Sequence, residues 1–172
     1  MEPKTIALPK SVLFQYEIGI YAIAFAVPLL VSGPQWVTGT VVNSLLFMYA
    51  MAFPQKNFIA IAILPSIAAL GHGVLFGSYT PFLLYFLPFI WLGNIGLMKL
   101  FSVLRKKMPF PRVLLFSSSA KVLILYVAAS LYYQLSIVPE LFLTSMGIIQ
   151  LYTALAGGIV AFTSFKLITK HA

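Results

Sequence analysis

Residues 99–121 read KLFSVLRKKMPFPRVLLFSSSAK, and this stretch holds six of the eleven lysine and arginine residues of the chain. Long apolar blocks lie on either side of it. The five other basic residues fall in the two terminal segments and in one short turn: Lys4, Lys10, Lys56, Lys166 and Lys170. Three connectors between apolar blocks carry no basic residue: 32–35, 72–80 and 135–140. This alternation is the positive-inside pattern of a polytopic membrane protein.

The apolar blocks predict an all-α protein that crosses the membrane six times. The mean hydropathy is +1.00 and only 8% of the residues are charged, which leaves too little polar surface for a soluble monomer. A bilayer core needs about 20 helical residues. We expect one integral membrane domain over residues 1–172, with both termini in the cytoplasm. The predicted spans are 12–31, 36–53, 58–72, 81–104, 113–134 and 140–168.

The net charge of +8 raises nucleic acid as a partner, but the placement of the basic residues is already explained by membrane topology. We therefore expect no nucleic acid, and instead anionic lipid at the cytoplasmic face. The chain has no cysteine and three acidic residues, Glu2, Glu17 and Glu140, none of them near the predicted midplane. Ion-coupled pumps and two-carboxylate hydrolases need such residues. The expectation is a protein that is not an enzyme and has no metal or other cofactor.

Three prolines, Pro28, Pro65 and Pro88, lie inside predicted spans. An internal proline removes a backbone hydrogen bond and usually kinks the helix. Kinked helices around a centre can leave a cavity, although proline is also simply tolerated in membrane helices.

Polar side chains inside the spans are the candidate functional residues. Asn43 lies about 10 Å from the outer end of its span and Gln150 about 15 Å from the outer end of the last span, at 1.5 Å per residue. Asn94 and Lys121 fall at a similar depth in the inner half. Buried amides and lysines in lipid should face inward and find partners. They either hold helices together, with Asn94 beside Lys121 as one such pair, or line a pocket for a small molecule.

The first outer turn leads into a second group of polar residues. Gln35, Thr38 and Asn43 are spaced so that one helical face presents several hydrogen-bonding groups, and Trp36 could stack on a ring. His72 lies in the glycine-flanked second outer connector. A single histidine does not make a metal site, so it is interpreted as facing a ligand or solvent. In the first span, Ala22 and Ala26 form a small-xxx-small pair that permits close helix contact.

Together these features resemble the S components of energy-coupling-factor transporters, which are small, basic, six-helix proteins of prokaryotic plasma membranes. The resemblance covers essentially the whole chain. It is carried by length, topology, the Ala22/Ala26 pair, and two runs of sequence: Gly33-Pro34-Gln35 with Thr38-Gly39 and Asn43, and Pro88-Phe89-Ile90-Trp91-Leu92-Gly93-Asn94.

The resemblance implies that the chain captures a vitamin or other micronutrient from outside. It also implies docking on a transmembrane coupling subunit that two ATPases power, through Ala22 and Ala26. The implied ligand-lining residues are Gln35, Trp36, Thr38, Asn43, His72 and Gln150. The chain has no Walker A sequence, so it does not supply the ATPase itself. The alternative is a membrane assembly protein without a ligand, which would tolerate substitution at Asn43, His72 and Gln150.

Overall fold

The computed structural model describes residues 10–31, 34–54, 56–73 and 75–171. Among them the chain is helical, which confirms the all-α prediction. The helices are α1 (Lys10–Leu30), α2 (Gln35–Ala52), α3 (Ile59–His72), α4 (Leu83–Leu104), α5 (Phe110–Gln134), α6 (Leu141–Met146) and α7 (Ile148–His171), with a 3₁₀ helix at Gly77–Phe82 ahead of α4.

Local sequence accounts for where several helices begin and end. Pro34 and Pro109 precede α2 and α5 in extended conformations, and neither could continue a helix from before because proline lacks an N–H. Gly73 ends α3 with a φ of 78°, the left-handed conformation that glycine adopts at little cost. The guanidinium of Arg105 donates to the carbonyl oxygen of Met51 at 3.1 Å, which satisfies one of the last carbonyl groups of α2.

Four helical stretches within the described residues are long and apolar enough to cross a membrane: Ser11–Leu30, Gly77–Leu104, Phe110–Gln134 and Leu141–Ile168. The remaining two predicted spans correspond to α2 and α3. Half of the residues of α2 are buried and several are polar, while α3 has 14 residues and is therefore only about 20 Å long.

The last predicted span, 140–168, is not one continuous helix. The chain breaks at Gly147, between α6 and α7, where φ is −98° and ψ is −105°. A Cβ on Gly147 would lie 2.6 Å from the carbonyl oxygen of Leu143, so the break also requires a residue without a side chain.

The apolar core forms two clusters. One surrounds α2, with Leu46 and Phe47 fully buried against Phe101 of α4. The other joins α4, α5 and α6, where the rings of Phe86 and Phe142 stack with centroids 5.0 Å apart.

Helices α2 and α7 form the most extensive helix pair, and small residues set their separation. An ideal Cβ on Gly39 would lie 3.1 Å from Cγ2 of Thr153. A Cβ on Gly157 would lie 2.8 Å from Asn43 Cβ and from two backbone atoms of α2. This close approach is typical of helix contacts in membranes, where small residues let backbones meet.

A polar cluster joins α1 to α2 near the turn that carries Lys56. The Glu17 carboxylate accepts hydrogen bonds from the hydroxyls of Tyr49 at 2.7 Å and Tyr21 at 3.2 Å. It also pairs with the Lys56 ammonium at 3.1 Å. The sequence places Glu17 near the inner surface but does not identify these partners.

Candidate functional site

A cavity of about 80 Å³ lies between the helices, lined by residues of all the helices except the 3₁₀ helix. Most of its wall is apolar, including Pro28 and Pro65. Two of the three internal prolines thus lie at the cavity, while Pro88 is exposed. The polar residues of the wall are Gln35, Thr38, Asn43, Ser66, Asn94, Lys121 and Gln150. An apolar lining with a few converging polar groups is the usual composition of a small-molecule site, although this cavity is smaller than most such sites, which measure about 300–1,000 Å³.

A chain of buried hydrogen bonds crosses the cavity wall from α5 to α7. The amine of Lys121, which is 3% exposed, donates to Oδ1 of Asn43 at 2.7 Å. Nδ2 of Asn43 donates to Oγ1 of Thr153 at 3.2 Å, and that hydroxyl donates to the carbonyl oxygen of Gln150 at 3.2 Å. Both groups of the Asn43 amide are therefore hydrogen-bonded: Oδ1 accepts from Lys121 and Nδ2 donates to Thr153.

Gly93 of α4 leaves room for the side chain of Lys121. A Cβ on Gly93 would lie 3.2 Å from Cγ of Lys121. The aliphatic stem of Lys121 therefore runs closely along α4. This contact brings Lys121 beside the Gly93-Asn94 pair.

The sequence suggests Asn94 and Lys121 as a possible pair, and the structure brings both to the same cavity with different hydrogen-bond partners. Nδ2 of Asn94 donates to the carbonyl oxygen of Ala62 on α3 at 2.9 Å. Its Oδ1 is buried and has no hydrogen-bond partner within the described part of the chain. Oγ1 of Thr38 is also buried without a hydrogen-bond partner among the described residues. Buried polar atoms are rarely left unpaired, since each unmade hydrogen bond costs about 1–3 kcal/mol.

Four of the six predicted ligand-lining residues reach the cavity: Gln35, Thr38, Asn43 and Gln150. The side chain of Gln35 also donates to the carbonyl oxygen of Ser145 at 3.0 Å, which ties α2 to α6. Trp36 and His72 do not line the cavity. Trp36 is 63% exposed, and Nε2 of His72 is buried at the end of α3 with no hydrogen-bond partner in residues 10–31, 34–54, 56–73 and 75–171.

Ala22 and Ala26, the pair that the resemblance assigns to docking, lie on the surface of the bundle. Ala22 is exposed and Ala26 is partly exposed, whereas Ala24 between them is buried against the bundle. Large apolar side chains are exposed on the same helix, among them Ile18, Ile23 and Phe25. This face of α1 is available to lipid or to another protein.

Residues that sequence reasoning did not select also shape the site. Ser66 lines the cavity and accepts a hydrogen bond from the indole N–H of Trp91 at 2.8 Å. The three glycines at positions 39, 93 and 157 permit the contacts described above. Glycine at a span interior is a usable signal for close contact, but it does not identify the partner helix.

No family model matches the chain, and no curated protein or solved structure is significantly similar to it. The site is therefore interpreted from its own geometry.

Proposed function

We propose that this protein captures a small polar molecule at the outer side of a prokaryotic plasma membrane, as the substrate-binding subunit of an ATP-driven importer. In this proposal the chain crosses the membrane six times with both termini inside, and its basic inner face contacts anionic lipid. The four long apolar helices and the distribution of lysine and arginine support this topology.

One observation carries the proposal: polar groups from α2, α4, α5 and α7 converge on one cavity, and two of them have no hydrogen-bond partner among the residues that the structure describes. If these residues served only to hold helices together, each buried polar atom should bond to the protein. The Lys121–Asn43–Thr153 chain fits that role. Thr38 Oγ1 and Asn94 Oδ1 do not, and a bound molecule would complete them. The other unpaired buried side-chain atoms among the described residues, Tyr16 Oη, His72 Nε2 and Ser118 Oγ, do not line the cavity.

The lining also favours access from outside. Gln35 follows the first predicted outer turn, and Leu75 and Phe76 belong to the second predicted outer connector. Met146 lies shortly after the third. Residues beside all three predicted outer connectors thus contribute to the wall of one cavity.

We also propose that the chain docks on a coupling subunit, and the exposed face of α1 around Ala22 supports this. Small side chains on an exposed helix face allow a partner helix to approach closely. The coupling subunit and its ATPases come from the resemblance to S components.

Mass spectrometry of small molecules released from gently purified protein tests capture. We expect one compound at near 1:1 stoichiometry with the wild type. Ala69→Met extends a side chain from a buried position in the cavity wall, whereas Ala60→Met makes the same change at an exposed position of α3. The compound should be lost with Ala69→Met and kept with Ala60→Met. Folded wild-type protein without any compound, from cells supplied with rich medium, would favour a membrane assembly protein instead.

A further inference from the structure

Lys121 is a buried amine that forms no ion pair within the described residues. It is 3% exposed, and neither acidic residue in the described part of the chain, Glu17 or Glu140, forms an ion pair with it. An ammonium group has three N–H donors, and one of them is accounted for by Asn43. A buried charge is stable only when a partner of opposite charge or sufficient hydrogen bonds compensate it.

Packing does not explain why a lysine occupies this position. Its stem contacts Gly93, and an unbranched apolar side chain such as methionine would fill the same space without bringing an amine into the bundle. Lys121 lines the cavity, so we expect the amine donors that Asn43 does not use to bond to a molecule there.

The other polar groups of the wall define what else that molecule should carry. Asn94 Oδ1 is an acceptor and therefore needs an N–H or O–H donor. Thr38 Oγ1 can donate or accept. One wall thus offers donors at Lys121 and an unpaired acceptor at Asn94.

The volume limits the size of the molecule. A cavity of about 80 Å³ corresponds to roughly five to eight water positions at 10–15 Å³ each. A molecule with on the order of eight non-hydrogen atoms therefore fits within the cavity.

We propose that the cavity binds a small organic acid that also carries an N–H or O–H donor, with its carboxylate on Lys121 and its donor on Asn94. This inference rests on the proposed capture function and specifies the class of substrate. Charge-assisted hydrogen bonds between an amine and a carboxylate are about twice as strong as neutral ones, so the carboxylate should dominate recognition.

Matched probes test the charge. Pyrrole-2-carboxylate combines a carboxylate with a ring N–H, pyrrole-2-carboxamide replaces the carboxylate by a neutral group, and furan-2-carboxylate replaces the ring N–H by an oxygen without adding an atom. We expect the first probe to bind the full-length detergent-purified protein at least about tenfold more tightly than either of the others. Thermal stabilisation over a range of probe concentrations measures this.

Two variants assign the effect to the lysine. Lys121→Met removes the amine at similar length. Asn43→Asp keeps the size of the side chain and places a carboxylate where an oxygen already lies 2.7 Å from the amine of Lys121. The lysine then has an ion-pair partner within the protein. Both variants should lose the preference for the acid over the amide. Because Asn43→Asp also removes the Nδ2 donor to Thr153, the effect of each probe is measured against the melting temperature of the same variant without probe.

The outcomes separate this inference from the capture function. Equal binding of amide and acid, or an unchanged acid preference in Asn43→Asp, overturns the acid proposal while capture stands. Stabilisation by none of the three probes also overturns it, and the compound released from purified protein then decides whether capture survives. A released compound that is a small acid supports both.

Discussion

Gly157→Ala measures how closely α2 and α7 must approach. The added methyl group would lie 2.8 Å from Asn43 Cβ, from the backbone nitrogen of Ser44 and from the carbonyl oxygen of Thr40. Ordinary contacts of this type begin at 3.4 Å, so the helices must separate by roughly 0.6 Å. Two of the three atoms belong to the backbone, and no rotamer change can relieve them.

The expected loss follows from three contributions. Overpacking of this kind costs about 1–3 kcal/mol. The separation also lengthens the bond from Asn43 to Thr153, which is already 3.2 Å long, and a lost hydrogen bond removes about 0.5–1.5 kcal/mol. Alanine favours a helix over glycine by about 0.5–1 kcal/mol. We expect the free energy of unfolding to fall by about 2 kcal/mol.

Unfolding by SDS in mixed micelles, followed by far-UV ellipticity, provides the measurement. Gly96→Ala is the matched control, since its nearest atom would be Cδ1 of Ile124 at 3.9 Å. The control should gain about 0.5–1 kcal/mol from helix propensity alone. If Gly157→Ala proves as stable as the wild type, or as stable as the control, the argument from close helix approach is wrong.

Changes at four further residues give separate checks, each read as a shift in the same unfolding curve. Glu17→Ala removes the acceptor of the buried Tyr49 hydroxyl and should cost about 1–3 kcal/mol. Lys56→Ala should cost at most about 1 kcal/mol, because its side chain is 57% exposed; equal losses in these two variants would contradict the assignment of the stability to the tyrosine contacts. Gly73→Ala should cost about 1 kcal/mol since φ is 78° there, and Gly73→Asn should recover part of it. Arg105→Ala leaves the carbonyl oxygens of Ala50 and Met51 without their guanidinium donor and should cost about 1 kcal/mol; an unchanged unfolding curve would contradict this role.

The sequence predicts the helices well because their limits depend on local chemistry. Proline before α2 and glycine after α3 stop or start a helix whatever surrounds them. The break at Gly147 was not predicted, because the apolar run continues across it and hydropathy does not report backbone direction. The span count of six stays a prediction: α2 is shielded by its neighbours and so contains polar residues, and α3 is short.

The site is harder to predict because depth along a helix leaves its rotation undetermined. Asn43 and Lys121 were placed at different depths from the positions of their backbones, but a lysine side chain extends several ångströms and reaches the asparagine at 2.7 Å. Trp36 follows Gln35 directly, yet adjacent helical residues point about 100° apart, so one lines the cavity and the other is exposed. A single sequence does not specify which of the two faces inward.

The pairing of α2 with α7 has a consequence for biosynthesis. The two helices are joined by the hydrogen bond from Asn43 to Thr153, residues 110 positions apart, and the ribosome makes α2 long before α7. Until α7 is inserted, Asn43 and the small-residue face of α2 have only lipid or provisional neighbours. Nascent chains stalled before α7 should therefore be recognised by membrane chaperones or proteases. Packing of α2 should be completed only after α7 has been made.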